Sequence, residues 1–255
     1  ACSDAAGFIG SSPLPLLIRA LSRPWKGNGV LIAVWSVKGG SGVSVVSALL
    51  ALTGAQHSPV LLVDLVGDQP AVLGIPEPAP DALGVVDLLA AGPSASSSAR
   101  FRMEREVLSN LSLLGVGGAA GDGLLPPVDP AVVARFVSDL AADGRRVVVD
   151  CGLVASAPAL SVTAAIARAA PTSILVTRPC FLGLRRAARA PVVPDGVVVV
   201  NEGSRALGLD DIEAVTGVPI VAVIDHDPAI ARLVDAGLLA SRLPGAASRA
   251  LRGVM

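Results

Sequence analysis

The chain has 255 residues, of which 52% are hydrophobic and 16% charged, a balance that excludes a disordered polymer and supplies ample material for a buried core. Aromatic residues make up 2% and tyrosine is absent, which argues against modules that stack nucleobases on aromatic rings. A net charge of −1 predicts neither general attraction to nucleic acid nor a polyacidic partner, although a local basic patch is compatible with it.

Cys2, Cys151 and Cys180 are few, widely spaced and odd in number. They suggest no disulfide framework and no CxxC metal site, so a reducing cytoplasm is the expected setting. No run reaches the roughly 18 apolar residues that a membrane-spanning helix needs. Residues 1–28 read as either an amphipathic segment or the remnant of a preceding domain, and are left unassigned.

From residue 29 onward, short β-rich runs alternate with Ala/Leu-rich helical stretches. The predicted strands, in order, are 30–36, 59–65, 110–116, 145–151, 172–178, 195–201 and 219–225. Several are continuous apolar runs, "VLLVDL" and "VVVV" among them, as expected of strands covered on both faces. Predicted helices lie at about 42–55, 81–91, 129–143, 157–170, 180–189, 209–215 and 227–239. Asp129 and Asp227 stand near two of the starts, where an acidic side chain suits a helix N-terminus. The segments 90–101 and 117–127, rich in Gly, Ser and Ala, read as flexible surface loops. Repeated β-α alternation predicts an α/β fold: one doubly wound, mostly parallel sheet with helices on both faces, spanning 29–255.

The stretch "VLIAVWSVKGGSGVSVVSALL" places a glycine loop between the first strand and first helix. That is the context in which such a loop holds phosphate. Glycines let backbone N–H groups approach an anion closely, and the helix N-terminus adds its partial positive charge. The candidate nucleotide-binding residues are Lys38, Gly39, Gly40, Ser41, Gly42, Val43, Ser44 and Val45, with Ser44 placed to ligate Mg²⁺.

"VKGGSGVS" resembles the deviant Walker A loop, KGGxGK[ST], of the ParA/MinD superfamily. In that family a signature lysine, matched by Lys38, reaches across an ATP-sandwich dimer to the partner's nucleotide. "PVLLVDLVGDQPAVLG" is similar to the family's second strand and switch region, with Asp64 at its first aspartate, near Mg²⁺ through water. "RRVVVDCG" resembles the Walker B strand, with Asp150 near Mg²⁺ through water. "GVVVVNEG" resembles the strand whose asparagine, here Asn201, reads adenine, and "GVPIVAVIDHDP" resembles the nucleotide-edge loop that includes Asp227. The likeness covers most of 29–240. It implies a P-loop fold, ATP or ADP with Mg²⁺, a homodimer, and a partner or cargo protein, with DNA or a membrane surface as further attachments. The location it implies is cytoplasmic, including the periphery of the membrane or nucleoid.

Two departures bear on chemistry. Val43 stands where the family has the lysine that contacts the β- and γ-phosphates, and Val66 stands where many relatives have the water-orienting aspartate. Asp68, two residues on, substitutes only if the loop is rearranged. A hydrogen bond to a charged group contributes about 1.5–3 kcal/mol, so triphosphate affinity should fall by roughly one to two orders of magnitude. Hydrolysis should suffer more, because phosphoryl transfer relies on positioning and charge neutralisation.

The expectation is a nucleotide-binding protein with a degenerate site, acting in spatial positioning or assembly through nucleotide-dependent dimerisation. Partition, division-site and TadZ/CpaE-like factors are the relatives it suggests, the last suiting a chain without catalytic residues. The alternatives are a slow ATPase switch that uses Lys38 in trans, with Asp64 and Asp68 as further catalytic candidates, and a nucleotide-free pseudo-ATPase. His57 reads as a solvated turn, His226 as part of a turn or nucleotide-edge loop, and Arg178, Arg185, Arg186 and Arg189 as a solvated helix face. The terminal stretch 242–255 suggests a short helix with too weak an apolar side to mark membrane attachment.

Overall fold

Leu31–Ser36 form the first strand, β1, and all six residues are buried. Successive side chains of a strand point to opposite faces, so this one strand feeds two cores. Leu31, Ala33 and Trp35 enter one hydrophobic cluster, while Ile32 and Val34 enter the other. The computed structural model describes residues 31–92, 97–118, 125, 127–154, 161–203 and 205–255, so the segment 1–28 lies outside the described residues.

The elements that follow are α1 (Val43–Ala55), β2 (Val60–Asp64), α2 (Gln69–Leu73), α3 (Val85–Ala91), α4 (Ser97–Met103), β3 (Arg105–Leu108), β4 (Leu111–Leu114) and α5 (Pro130–Ala141). Next come β5 (Arg146–Leu153), α6 (Val162–Ala169), β6 (Thr172–Thr177), α7 (Phe181–Ala187), β7 (Gly196–Asn201), α8 (Leu209–Thr216), β8 (Ile220–Asp225), α9 (Pro228–Asp235) and α10 (Gly245–Leu251). The strands form one sheet in the order β3-β4-β2-β5-β1-β6-β7-β8. Every neighbouring pair is parallel except β3 with β4. The expected doubly wound α/β architecture is what the chain adopts.

Helices cover both faces. Val133, Phe136 and Leu140 of α5, Ile166 of α6, Leu184 of α7 and Ile212 of α8 pack on the face of Trp35. Trp35 also donates its indole N–H to Ser173 Oγ at 2.8 Å, so its polar edge is satisfied inside the core. On the other face lie Val46–Leu52 of α1, Val72 and Leu73 of α2, and Leu251 of α10. Helix α1 is buried continuously from Val46 to Gly54, because the sheet lies on one side and α10 and α2 on others. A fully buried leucine stabilises the fold by about 1.5–3 kcal/mol, and the sheet centre carries many.

The seven expected strands all form, within two residues of their predicted ends. Several helices are shorter than expected. Helix α3 starts at Val85 instead of 81, because the N–H groups of Gly84 and Val85 are tied to Asp87 and to Gly115. Helix α9 stops at Asp235, and α6 is described from Val162.

The expected loop at 90–101 is corrected in its second half, where α4 forms. Arg100 of that helix is buried and donates to Glu104 at 2.9 Å and to Asp143, while Arg145 donates to Glu104 at 2.7 Å and also to Asp143. Burial works to raise the Asp143 carboxyl, but the Arg145 and Arg100 guanidiniums outweigh it and hold it below the usual range. Residues 93–96, and 119–124 with 126 of the other expected loop, lie outside the described residues.

The terminal helix, α10, buries Ala247, Ser248 and Leu251 against α1 and β8. Its apolar side is therefore committed to the body of the protein. Among the described residues no helix is long and apolar enough to cross a membrane.

Candidate nucleotide site

The loop between β1 and α1 is braced from within. Ser36 Oγ and Ser41 Oγ both donate to the Lys38 carbonyl, at 3.2 and 2.7 Å. Gly40 and Gly42 take φ of 75° and 90°, a left-handed conformation that a side chain would strain. A Cβ built at Gly39 or Gly40 meets nothing within 4 Å, so the turn is open instead of plugged. Gly42 caps α1 without any side-chain hydrogen bond, which leaves the first-turn N–H groups of the helix without an intrahelical partner.

A cleft of about 450 Å³ opens over this turn at the carboxyl ends of the strands, lined by Gly39, Gly40, Val43, Ser44, Asp68 and Gly152 among others. A second hollow of about 230 Å³ adjoins it, walled by Val46, Leu49, Val200, Ile224 and Ile230, with Arg178, Asp225, His226, Asp227 and Asp235 at its polar edges. Gly42, Val45 and Val234 line both. The cleft over the glycine turn thus adjoins an apolar hollow with charged residues at its edge.

Asp64 and Asp150 sit opposite each other on β2 and β5, both fully buried. Asp64 accepts from the N–H groups of Val66, Gly67 and Gln69 at 2.8–3.0 Å, so its carboxylate organises the loop that follows β2. Burial first, and Asp64's charge second, push the Asp150 carboxyl up to about 7. Burial also raises Asp64, against the pull of its three backbone donors. Asp150 accepts from Gln69 Nε2 at 2.7 Å and from Gly152 N–H at 3.1 Å. Ser44 Oγ lies 3.3 Å from Asp68 Oδ2. The Ser44 hydroxyl and the Asp68 and Asp150 carboxylates are hard oxygen donors gathered at one helix head, the kind Mg²⁺ takes alongside phosphate oxygens and water. The residues present therefore fit that ion in kind.

Asp68 lines the cleft. Val43 and Val66 also line the cleft, and a Cβ at Gly152 would meet Val66 Cγ2 at 2.4 Å, so Val66 packs tightly there. Both valines are apolar walls of the cleft. Lys38 is partly exposed and its Nζ donates to the carbonyl of Gly39, a residue of the cleft lining, at 3.4 Å. Asn201 is spent within the fold: it donates to Asp225 Oδ1 at 3.1 Å and accepts from Gly203 N–H at 3.2 Å, and it does not line the hollow. Asp227 does line it, while accepting from Ala229 N–H at 2.8 Å as the cap of α9.

Gln69 was not singled out from the sequence, and only the fold reveals its place. Nor was the junction of α2 with the segment after α9. A Cβ at Gly74, where φ is 72°, would stand 2.1 Å from the Gly237 carbonyl oxygen, so the two backbones touch directly. Among the described residues no cluster of three or more His, Cys, Asp or Glu side chains forms, which leaves His226 as an edge of the hollow. Cys180 caps α7, and the Gly183 and Leu182 N–H groups, with the charges of Lys38 and Arg205, hold its thiol below the usual range. Arg185, Arg186 and Arg189 are exposed, as a solvated helix face requires.

A glycine loop between the first parallel strand and a helix, at the topological switch point of a doubly wound sheet, defines a P-loop nucleotide-binding fold. More narrowly, it is the ParA/MinD form of that fold. A ParA family ATPase from Chlorobium tepidum superposes with a TM-score of 0.69 at 18% identity, covering 90% of this chain and 99% of its own. The septum site-determining protein MinD of Pyrococcus horikoshii, complexed with Mg-ADP, gives 0.68 at 21%, covering 89% and 94%. The cell division ATPase MinD of Pyrococcus furiosus gives 0.67 at 24%, covering 89% and 98%. No protein-family model matches the sequence, and no curated protein does.

Proposed function

We propose that the chain binds a purine nucleotide diphosphate or triphosphate, ADP or ATP, with Mg²⁺, and that the bound nucleotide organises a homodimer that positions or assembles other machinery. The observation that carries this reading is the adjacency of the cleft over the open glycine turn and the apolar hollow, which share Gly42, Val45 and Val234 as lining. Backbone N–H groups of the loop and the first turn of α1 hold the phosphates. Ser44, Asp68 and Asp150 hold the cation, whose chemistry when bound is to neutralise phosphate charge. The isopropyl groups of Val43 and Val66 contribute neither charge nor an acceptor for a water, so hydrolysis is slow or absent. The MinD complex with Mg-ADP supports the choice of ligand.

Dimerisation is supported by exposed apolar residues: Leu153, at the cleft, at 50%, and Phe181 and Leu182 of α7 at 69% and 52%. A cargo protein, and attachment to DNA or membrane through the exposed arginines of α7, extend the same proposal. A second reading, a slow ATPase switch with Lys38 acting in trans, is favoured by Asp68, which already faces Ser44 across the cleft.

Calorimetric titration with ADP and ATP in Mg²⁺, paired with a phosphate-release assay and molecular mass against nucleotide, tests the proposal. Binding with a nucleotide-dependent mass increase and background phosphate release is expected. Steady turnover that depends on Lys38 would replace it with the ATPase reading, and absence of binding would leave only a structural pseudo-ATPase.

A further inference from the structure

Among the described residues, Arg178 is the one permanent cation lining the apolar hollow, where the sequence suggested a solvated helix face. It follows β6 by one residue, a step beyond the Thr177–Val199 pair. That sets it level with Val200 of β7 and Ile224 of β8, which line the same hollow. Only 32% of its side chain is accessible. Its Nη1 donates to Glu202 Oε1 at 2.7 Å, and Arg205 Nε donates to the other oxygen of Glu202. The guanidinium is therefore anchored through one nitrogen, while Nη2 has no partner among the described residues and keeps two N–H donors.

The hollow's other edge is built of acceptors. Asp225 ends β8, which β7 separates from β6, so the two strand ends stand roughly 10 Å apart. Asp225 and Asp227 each have one carboxylate oxygen engaged, by Asn201 Nδ2 at 3.1 Å and by Ala229 N–H at 2.8 Å. Their second oxygens are free among the described residues, and Asp235, at the end of α9, has no partner among them.

Pairing geometry decides which base such edges suit. An amide pairs with adenine through N6 and N7, whereas a guanidinium pairs with guanine through O6 and N7. The amide at hand is already committed, because Asn201 bridges Asp225 and Gly203 and does not line the hollow. A carboxylate takes two adjacent N–H donors. Guanine offers N1–H and the N2 amino group side by side, where adenine offers N6 alone.

We propose that Arg178 and the carboxylates across β7 read the base, and that the hollow accepts guanine at least as well as adenine. This rests on the reading of the cleft as a nucleotide site and widens its ligands from ADP and ATP to GDP and GTP.

The test is titration calorimetry of the full chain in Mg²⁺ with GDP and ADP, for the wild type, Arg178→Met and Arg178→Gln. Methionine keeps an unbranched stem and removes the cation, leaving Glu202 paired with Arg205. Glutamine supplies the amide that suits adenine. The wild type should bind GDP within about threefold of ADP, or more tightly. Arg178→Met should lose about tenfold for GDP, the worth of one such pairing, and less than about threefold for ADP. Arg178→Gln should lose as much for GDP while holding or gaining affinity for ADP. An arginine that merely braces Glu202 would lower both nucleotides equally in both variants, and that result overturns the proposal. So does unchanged GDP affinity in Arg178→Met, or a wild type that favours ADP by more than about threefold. Should Arg178→Met show no cooperative melt, Arg178→Gln carries the test, with the same fall in GDP relative to ADP expected. A wild type that binds ADP and no GDP sinks this base reading but leaves nucleotide binding intact. A wild type that binds neither sinks both.

Discussion

Asp150→Asn probes the buried carboxyl pair directly. Asp150 is fully buried beside Asp64, and its carboxyl is lifted from an ordinary 3.8 to about 7. At about 1.36 kcal/mol per pH unit, ionising it inside the fold costs roughly 4 kcal/mol. A carboxyl raised in this way binds its proton more tightly folded than unfolded. Its contribution to stability is complete below the unfolded value of 3.8 and disappears as pH rises through about 7. Asparagine carries no charge but has one oxygen where the carboxylate uses two, Oδ2 for the Gln69 amide and Oδ1 for the Gly152 N–H, so one donor loses its acceptor and part of the gain is offset. Part of the cost is shared with Asp64, so the variant should exceed the wild type by about 1–3 kcal/mol near pH 8, with the difference shrinking toward pH 5. Urea unfolding across that range, in Mg²⁺-free buffer, measures it. A difference that stays flat with pH, or a variant that is the weaker one at pH 8, refutes the electrostatic account of this pair.

Val43→Lys restores an ammonium to the cleft wall and should tighten Mg-ATP binding by roughly ten- to a hundredfold in calorimetry; unchanged affinity would mean that the phosphates do not lie against α1. Leu251→Ala removes a side chain with no exposure from the packing of α10 on α1, and should cost about 2–5 kcal/mol in urea unfolding. A loss below about 1 kcal/mol would show that α10 is not part of the cooperative core. Arg100→Met leaves Asp143 and Glu104 short of a buried cation and should cost about 3–5 kcal/mol at neutral pH. Because Asp143 is held below its ordinary value, that stabilisation is present above about pH 4 and fades as pH falls through the folded value, so the variant's deficit should narrow in acid.

The parallel strands were legible because buried strands such as Val60–Asp64 are nearly pure Val and Leu, and the glycine loop because its context on either side agreed. What escaped depends on contacts far apart in the chain. Helix α4 hides in a serine-rich stretch, and its buried arginine finds Asp143 only through the fold, 43 residues away. Helix α2 has five residues and a proline at its start, too short for a periodic signal. Strand β3 is a four-residue charged edge, Arg-Glu-Val-Leu, of the kind that resists pairing. Within the site, the loop residues and both aspartates were legible. Gln69 was not, since glutamine is seldom fully buried and its partners lie 25 and 81 residues away. Asn201, assigned to adenine by resemblance, instead ties β7 to Asp225 at the end of β8.

Where Gly74 abuts Gly237, main chain meets main chain with no side chain to act as a cushion. Gly74 ends the short helix that begins at Gln69, beneath the cation end of the cleft, and Gly237 follows the helix whose Ile230 and Val234 wall the base end. A seam this close transmits displacement rather than absorbing it. The loop that grips Ser44 and the helix that carries Ile230 and Val234 are thereby coupled through bare backbone, a single rigid lever under both hollows.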